Sequence, residues 1–309
     1  MPTRQGSFHL FRIFSIDVYL HWSWFLIAAI ELSERKGQYQ SPIWNLFEYL
    51  SLFLIVLTHE FGHALACRSV GGVADQVILW PLGGVAYVAP PQRPGATLWT
   101  IFAGPLVNIV LAPILWFLPL FLVLIGFGDH TYSQDLLQYL HTVFWINTTL
   151  LFFNILPIYP LDGGQILRSI LWFPFGRARS LLIASILGII GIIAFVAFIL
   201  FEGANQIWYL IMGAFLLSQS YSGLKRALSL SKVANAPRRA GYHCPSCQTP
   251  PPVGNHWTCS VCKQKFDMFS TLGTCVSCGA HFSATPCFEC NTLSPVSMWA
   301  PSSPPVVDI

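Results

Sequence analysis

The sequence predicts an α-helical polytopic membrane protein, with about six transmembrane helices and a small membrane-associated β-hairpin, followed by a small cysteine-rich C-terminal domain. Three observations carry that prediction. The 309 residues are 54% hydrophobic and only 9% charged, with a mean hydropathy of +0.59, whereas soluble domains carry about 25% charged residues. The deficit of charge is concentrated in residues 1–230. Eight of the nine cysteines fall between Cys244 and Cys290 as four C-x-x-C pairs. A net charge of +3 is too small to argue for nucleic acid.

Hydropathy places spans at roughly 18–32, 44–69, 97–127, 136–171, 180–201 and 206–224, given about 20 apolar residues per crossing. No short apolar core followed by a small-residue cleavage site is seen at the N-terminus, so a cleavable signal peptide is not expected. With a cytoplasmic N-terminus, Arg4, Arg12, Arg68, Arg93, Arg168, Arg177, Arg179, Lys225, Arg226, Lys232, Arg238 and Arg239 share the cytoplasmic side, and only Arg35 and Lys36 fall opposite. That bias predicts cytoplasmic termini; an integral protein of a bacterial inner membrane is expected from the architecture alone. Residues 77–88, "VILWPLGGVAYV", read as a hairpin, two β-prone runs around a Pro and a Gly-Gly pair. Residues 154–164, "NILPIYPLDGG", break the helical pattern; irregular backbone at membrane depth is tolerated only against protein or a wet cavity. The predicted division is a membrane domain over 1–228, a basic linker over 229–242, a cysteine-rich domain over 243–292 and a disordered Pro/Ser-rich tail over 293–309.

The apolar run "LIVLTHEFGHALA" contains His59, Glu60 and His63. H-E-x-x-H on a helix sets both imidazoles one turn apart, facing one zinc ion, with the glutamate as a base acting on water. Core histidines closing a helix end are the bland alternative, but ionisable groups inside a membrane are expensive and default to function. A catalytic zinc wants a third protein ligand. Asp162 is the single acidic residue between Asp135 and Glu202. Taken alone it is as readily an N-cap for the helix that follows; beside H-E-x-x-H, the ligand reading is favoured. His21 is read as an interfacial histidine among tryptophans, and Cys67 as a small residue packed in a helix.

"HEFGH" followed about 100 residues later by N-x-x-P-x-x-P-x-D-G-G, met by Asn154, Pro157, Pro160, Asp162, Gly163 and Gly164, resembles the site-2 protease family of intramembrane zinc metalloproteases. "FAGPLVN" is similar to that family's G-x-x-x-N stretch through Gly104 and Asn108, although small residues there also suit close helix packing. "DVYLHWSWF" resembles the first helix of the compact branch that includes the sporulation-factor-processing protease. The resemblance covers roughly residues 10–225, and neither a PDZ nor a CBS domain is found. It implies a metalloprotease with zinc on His59, His63 and Asp162, Glu60 as catalytic acid/base, and Asn154 orienting substrate or stabilising the oxyanion. It also implies a membrane-anchored protein as substrate. The alternative function is an inactive zinc-dependent membrane scaffold or sensor. A metal transporter would need polar residues threading several helices to both faces.

Cys244, Cys247, Cys259 and Cys262, then Cys275, Cys278, Cys287 and Cys290, form C-x2-C-x11-C-x2-C and C-x2-C-x8-C-x2-C. On a reducing face these predict two structural zinc ions rather than disulfides, in two zinc ribbons in tandem. An interleaved arrangement is left open by the spacing. With Lys263 and Lys265 against Asp267 and Glu289, the basic footprint of nucleic-acid binding is missing; a regulatory protein partner suits the ribbons better.

Overall fold

A computed structural model describes residues 6–35, 37–80, 83–126, 131–201 and 207–300. The described residues begin not in a helix but in a hairpin. Strand β1 (Ser7–Ile13) runs antiparallel to β2 (Ile16–His21). The alternation in "IDVYLH" turns Ile16, Val18 and Leu20 inward, as a half-buried strand requires. The predicted span 18–32 is therefore corrected. Its first residues are strand, and the helix that follows, α1 (Trp24–Glu34), has 11 residues. At 1.5 Å per residue that is about 16 Å, roughly half of an apolar bilayer core.

Helix α2 (Ile43–Ser69) leads into β3 (Val73–Trp80), which lies parallel to β2, with α1 and α2 forming the crossover. β4 (Gly83–Ala89) returns antiparallel to β3. The expected 77–88 hairpin is thus half of a four-stranded sheet, in the order β1-β2-β3-β4; residues 81 and 82 at its turn lie outside the described residues. One face of the sheet packs Val18, Leu20, Val77 and Leu79 against Val56, Leu57, Ala64 and Cys67 of α2. Sheet and metal-motif helix therefore share a core.

Helices α3 (Pro94–Leu124), α4 (Thr131–Ile155), α5 (Asp162–Phe201) and α6 (Ile207–Ala234) complete the membrane part. Among the described residues, four helices, α2 to α5, are long and apolar enough to cross a membrane, so the chain is an integral membrane protein. The count of six spans is not reproduced. The stretch 136–171 is two helices separated by residues 156–161, and α5 bridges two expected spans with a break at Gly176 (φ 76°). At the opening of α5, a Cβ on Gly163 would come within 2.0 Å of the Ile155 carbonyl, so the loop can fold back over the helix only past a glycine. The segment before α2 is tied down by Asp135, whose carboxylate accepts from the Gln40 and Ser41 amides at 3.1 Å each.

α6 continues to Ala234, so the first six residues of the expected 229–242 linker are helical. Beyond it, β5 (Trp257–Thr258) pairs with β6 (Lys265–Phe266) and β7 (Ala284–Pro286) with β8 (Leu293–Pro295). β8 and the short 3-10 turn Val296–Trp299 correct the disordered tail over 293–300. Trp299 is buried against Phe269, with ring centres 5.1 Å apart; its burial offsets the cost of ordering this stretch. Residues 301–309 lie outside the described residues.

Candidate active site and metal centres

α2 delivers His59, Glu60 and His63 as buried side chains. Each histidine is oriented through Nδ1. His63 donates to the Thr100 carbonyl at 2.9 Å, and His59 to Asn108 Oδ1 at 2.6 Å. Asn108 is itself fixed, since its Nδ2 donates to Asn147 Oδ1 at 2.8 Å and Asn147 Nδ2 donates back to the Asn108 carbonyl at 3.0 Å. With both protons on Nδ1, both Nε2 atoms are bare lone pairs. They face each other at 3.1 Å, and Asp162 Oδ2, from the first turn of α5, stands 3.0 Å from one and 3.3 Å from the other.

Three acceptors held this close repel unless a cation lies between them. A tetrahedral ion with bonds of about 2.0–2.1 Å keeps its ligands about 3.4 Å apart, so size and donor set both fit zinc. Gly104 makes the approach of α3 possible, because a Cβ there would sit 2.3 Å from His63 Nε2. The Ala86 amide of β4 donates to Glu60 Oε2 at 2.8 Å. A Cβ on Gly84 would come within 2.2 Å of Glu60 Cγ, so β4 lies directly on the carboxylate.

The structure thus brings together His59, His63, Asp162 and, beside them, Glu60. Asn154 is half-buried in the last turn of α4. His21 stacks on Trp80 at 4.4 Å between ring centres. Cys67 is buried, with its thiol on the Val73 carbonyl at 3.4 Å. Thr100 and Asn147 were not found from the sequence. A backbone carbonyl leaves no residue signature, and a lone asparagine in an apolar helix is silent until its partner is known. Asn108 was visible only through the G-x-x-x-N stretch.

The eight cysteines form two groups, Cys244, Cys247, Cys287 and Cys290, and Cys259, Cys262, Cys275 and Cys278. This corrects the tandem pairing. The first pair joins the fourth, and the second joins the third, so one centre is nested within the other. The reason lies in the chain ends. The His243 amide donates to the Trp299 carbonyl at 2.8 Å, which draws the first and last knuckles together over a shared core of Trp257, Phe266, Phe269 and Trp299. Sulfur contacts of 3.7 Å in the outer group and 3.6 Å in the inner one exclude disulfides and approach the roughly 3.8 Å separation of four thiolates around zinc.

All four knuckles share one turn. The cysteine amide donates to the carbonyl five residues on, as from Cys244 to Thr249 and Cys287 to Thr292. The fourth residue after that cysteine is left-handed, at Gln248, Lys263, Gly279 and Asn291. Within the inner group the coupled thiols are pushed in opposite directions, Cys259 down through the Cys262 amide and Cys262 up through burial and the neighbouring thiols. Nearby, burial pushes the Asp267 carboxyl up. The Gly254, Ser270 and Phe269 amides and the Arg239 guanidinium outweigh it and leave the group below the usual carboxylate range.

A family model described as "Peptidase family M50" matches residues 47–131 and 123–200. The chain is 33% identical over 184 residues to "Zinc metalloprotease MJ0392" of Methanocaldococcus jannaschii, covering 59% of this chain and 50% of that one. It is 30% identical to "Putative zinc metalloprotease sll0528" of Synechocystis, covering 70% and 59%. It is 34% identical to "Stage IV sporulation protein FB" of Bacillus subtilis, covering 45% and 46%. The solved site-2 protease from Methanocaldococcus jannaschii is 26% identical, with a TM-score of 0.47, over 71% of this chain and 95% of that one. The chain spans about half the length of the curated relatives it matches. The matched segments contain H-E-x-x-H, the G-x-x-x-N stretch and the D-G-G turn, and the chain belongs to peptidase family M50, the site-2 protease family.

Proposed function

We propose that the protein is an intramembrane zinc endopeptidase that hydrolyses peptide bonds of membrane-anchored proteins. The observation that carries the reading is the meeting of His59 Nε2, His63 Nε2 and Asp162 Oδ2 within 3.3 Å of one another, one residue along α2 from a buried glutamate. His59, His63 and Asp162 would hold the zinc; when bound, such an ion polarises a scissile carbonyl and makes water acidic enough to deprotonate near neutrality.

The chain's own residues supply the rest. Asn108 and the Thr100 carbonyl fix the two imidazoles so that only Nε2 faces inward. Glu60 Oε1 is left to take a proton from water and return it to the leaving amine, while the Ala86 amide holds Oε2 and aims the carboxylate. β4 is the outer strand of its sheet. A substrate segment unwound from its helix and laid along that edge would gain backbone hydrogen bonds beside Glu60. Asn154 is assigned to substrate or oxyanion on the motif alone. The nested cysteine groups would hold two structural zinc ions in a module facing the cytoplasm, where it meets a regulatory protein.

Glu60→Gln, reconstituted with a membrane-anchored substrate and with zinc quantified, tests the reading. The expected outcome is a cleavage rate lower by about 10²–10⁴ at unchanged zinc content. Cleavage at the wild-type rate overturns the assignment, and would leave the scaffold reading in its place.

A further inference from the structure

Arg168 and Arg177 flank Trp172 on α5, and their guanidinium carbons lie 5.7 and 5.9 Å from the centre of its ring. The Nε of each is buried and without a hydrogen-bond partner. Arg226, exposed on α6, acts electrostatically on both. Glu289 also acts electrostatically on Arg177, and its carboxylate is already taken by Arg238 at 3.3 Å. Arg177 directs its Nη1 at the Phe288 and Glu289 carbonyls, at 3.1 and 3.3 Å. Between α5, the end of α6 and that loop opens a cavity of about 240 Å³, bordered by Arg177 and Arg179. Phe173 and Phe175 beside it are 62% and 48% exposed.

A charge bias across a membrane explains cations near a boundary, and exposed lysines satisfy it. It does not explain two guanidiniums half-buried on one indole with Nε–H groups unpaired, an arrangement that costs free energy for each missing bond. A guanidinium presents a planar fork matched to phosphate oxygens, and basic pockets between membrane helices suit lipid headgroups. We propose that Arg168, Arg177 and Arg226 form a binding site for a phosphate oxyanion at the seam between α5, α6 and the cysteine-rich module. The exposed Phe173 and Phe175 favour the headgroup of an anionic phospholipid, whose acyl chains would cover them, over free phosphate.

The full chain in nanodiscs of phosphatidylcholine, with or without phosphatidylglycerol, provides the test through its thermal midpoint and the lipid it retains in native mass spectrometry. Phosphatidylglycerol is expected to raise the midpoint and remain bound. Arg168→Gln and Arg226→Gln are each expected to weaken that retention about tenfold with the midpoint in pure phosphatidylcholine unchanged. Inorganic phosphate reproducing the shift in pure phosphatidylcholine supports the oxyanion site and assigns it to a soluble ligand. Should Arg168→Gln destabilise the fold, the exposed Arg226→Gln decides. A wild type that responds to neither anion, or an Arg226→Gln variant that keeps the full response, overturns the proposal. The readout is binding, so it stands or falls independently of proteolysis.

Discussion

The pair Asn108 and Asn147 shows how a single residue decides the behaviour of a metal site. His59 can present a bare Nε2 only if Nδ1 keeps its proton, and Asn108 Oδ1 is the acceptor that holds it there at 2.6 Å. Asn108→Ala removes the acceptor and leaves a buried N–H without a partner. Its expected consequence is zinc affinity lower by about 10–100-fold, measured by competition with a chelator, with Glu60 and its contact to Ala86 intact. Affinity equal to wild type would show that the ring needs no such support. The meeting of His59, His63 and Asp162 was legible because helical spacing and a D-G-G turn are written in residue types. The second layer was not, because it runs through the Thr100 carbonyl and through an asparagine whose role exists only opposite another.

At the level of elements, β4 matters most. Its Ala86 amide points away from β3 and onto Glu60, and strand alternation sets the Gly84 and Val88 amides on the same outer edge. Proline at Val88 removes an edge donor without touching a ladder bond to β3, a place where sheets tolerate it. Val88→Pro should slow cleavage about tenfold, as loss of one buried backbone bond to substrate implies, while zinc content and thermal midpoint stay put. An unchanged rate would exclude strand addition at this edge. The sequence foretold β3 and β4 from two β-prone runs around a Pro and a Gly-Gly pair, yet hid β1 and β2. Ile16 to Leu20 run straight into the apolar α1, and a hydropathy window merges a six-residue strand with a short helix into one apparent span.

On the scale of the whole molecule, the nested cysteine groups tie residues 46 apart in sequence, from Cys244 to Cys290. C-x-x-C spacing states that each pair shares a metal with another pair, but says nothing of which. The choice is made by the aromatic core and by the His243–Trp299 bond. Zinc counting separates the two arrangements. Cys244→Ser with Cys290→Ser should cost one structural zinc, because both residues serve the outer centre. Cys244→Ser with Cys259→Ser should cost two. Tandem ribbons would reverse that pattern.

The same nesting imposes an order on biogenesis. As the chain leaves the ribosome, the inner four cysteines are complete once Cys278 has emerged, whereas the outer four wait for Cys290. The Phe288 and Glu289 carbonyls that receive Arg177 belong to that last knuckle. The membrane helices are therefore made long before the clasp that joins them to the module, and the first and last knuckles are drawn together only after Trp299 has followed.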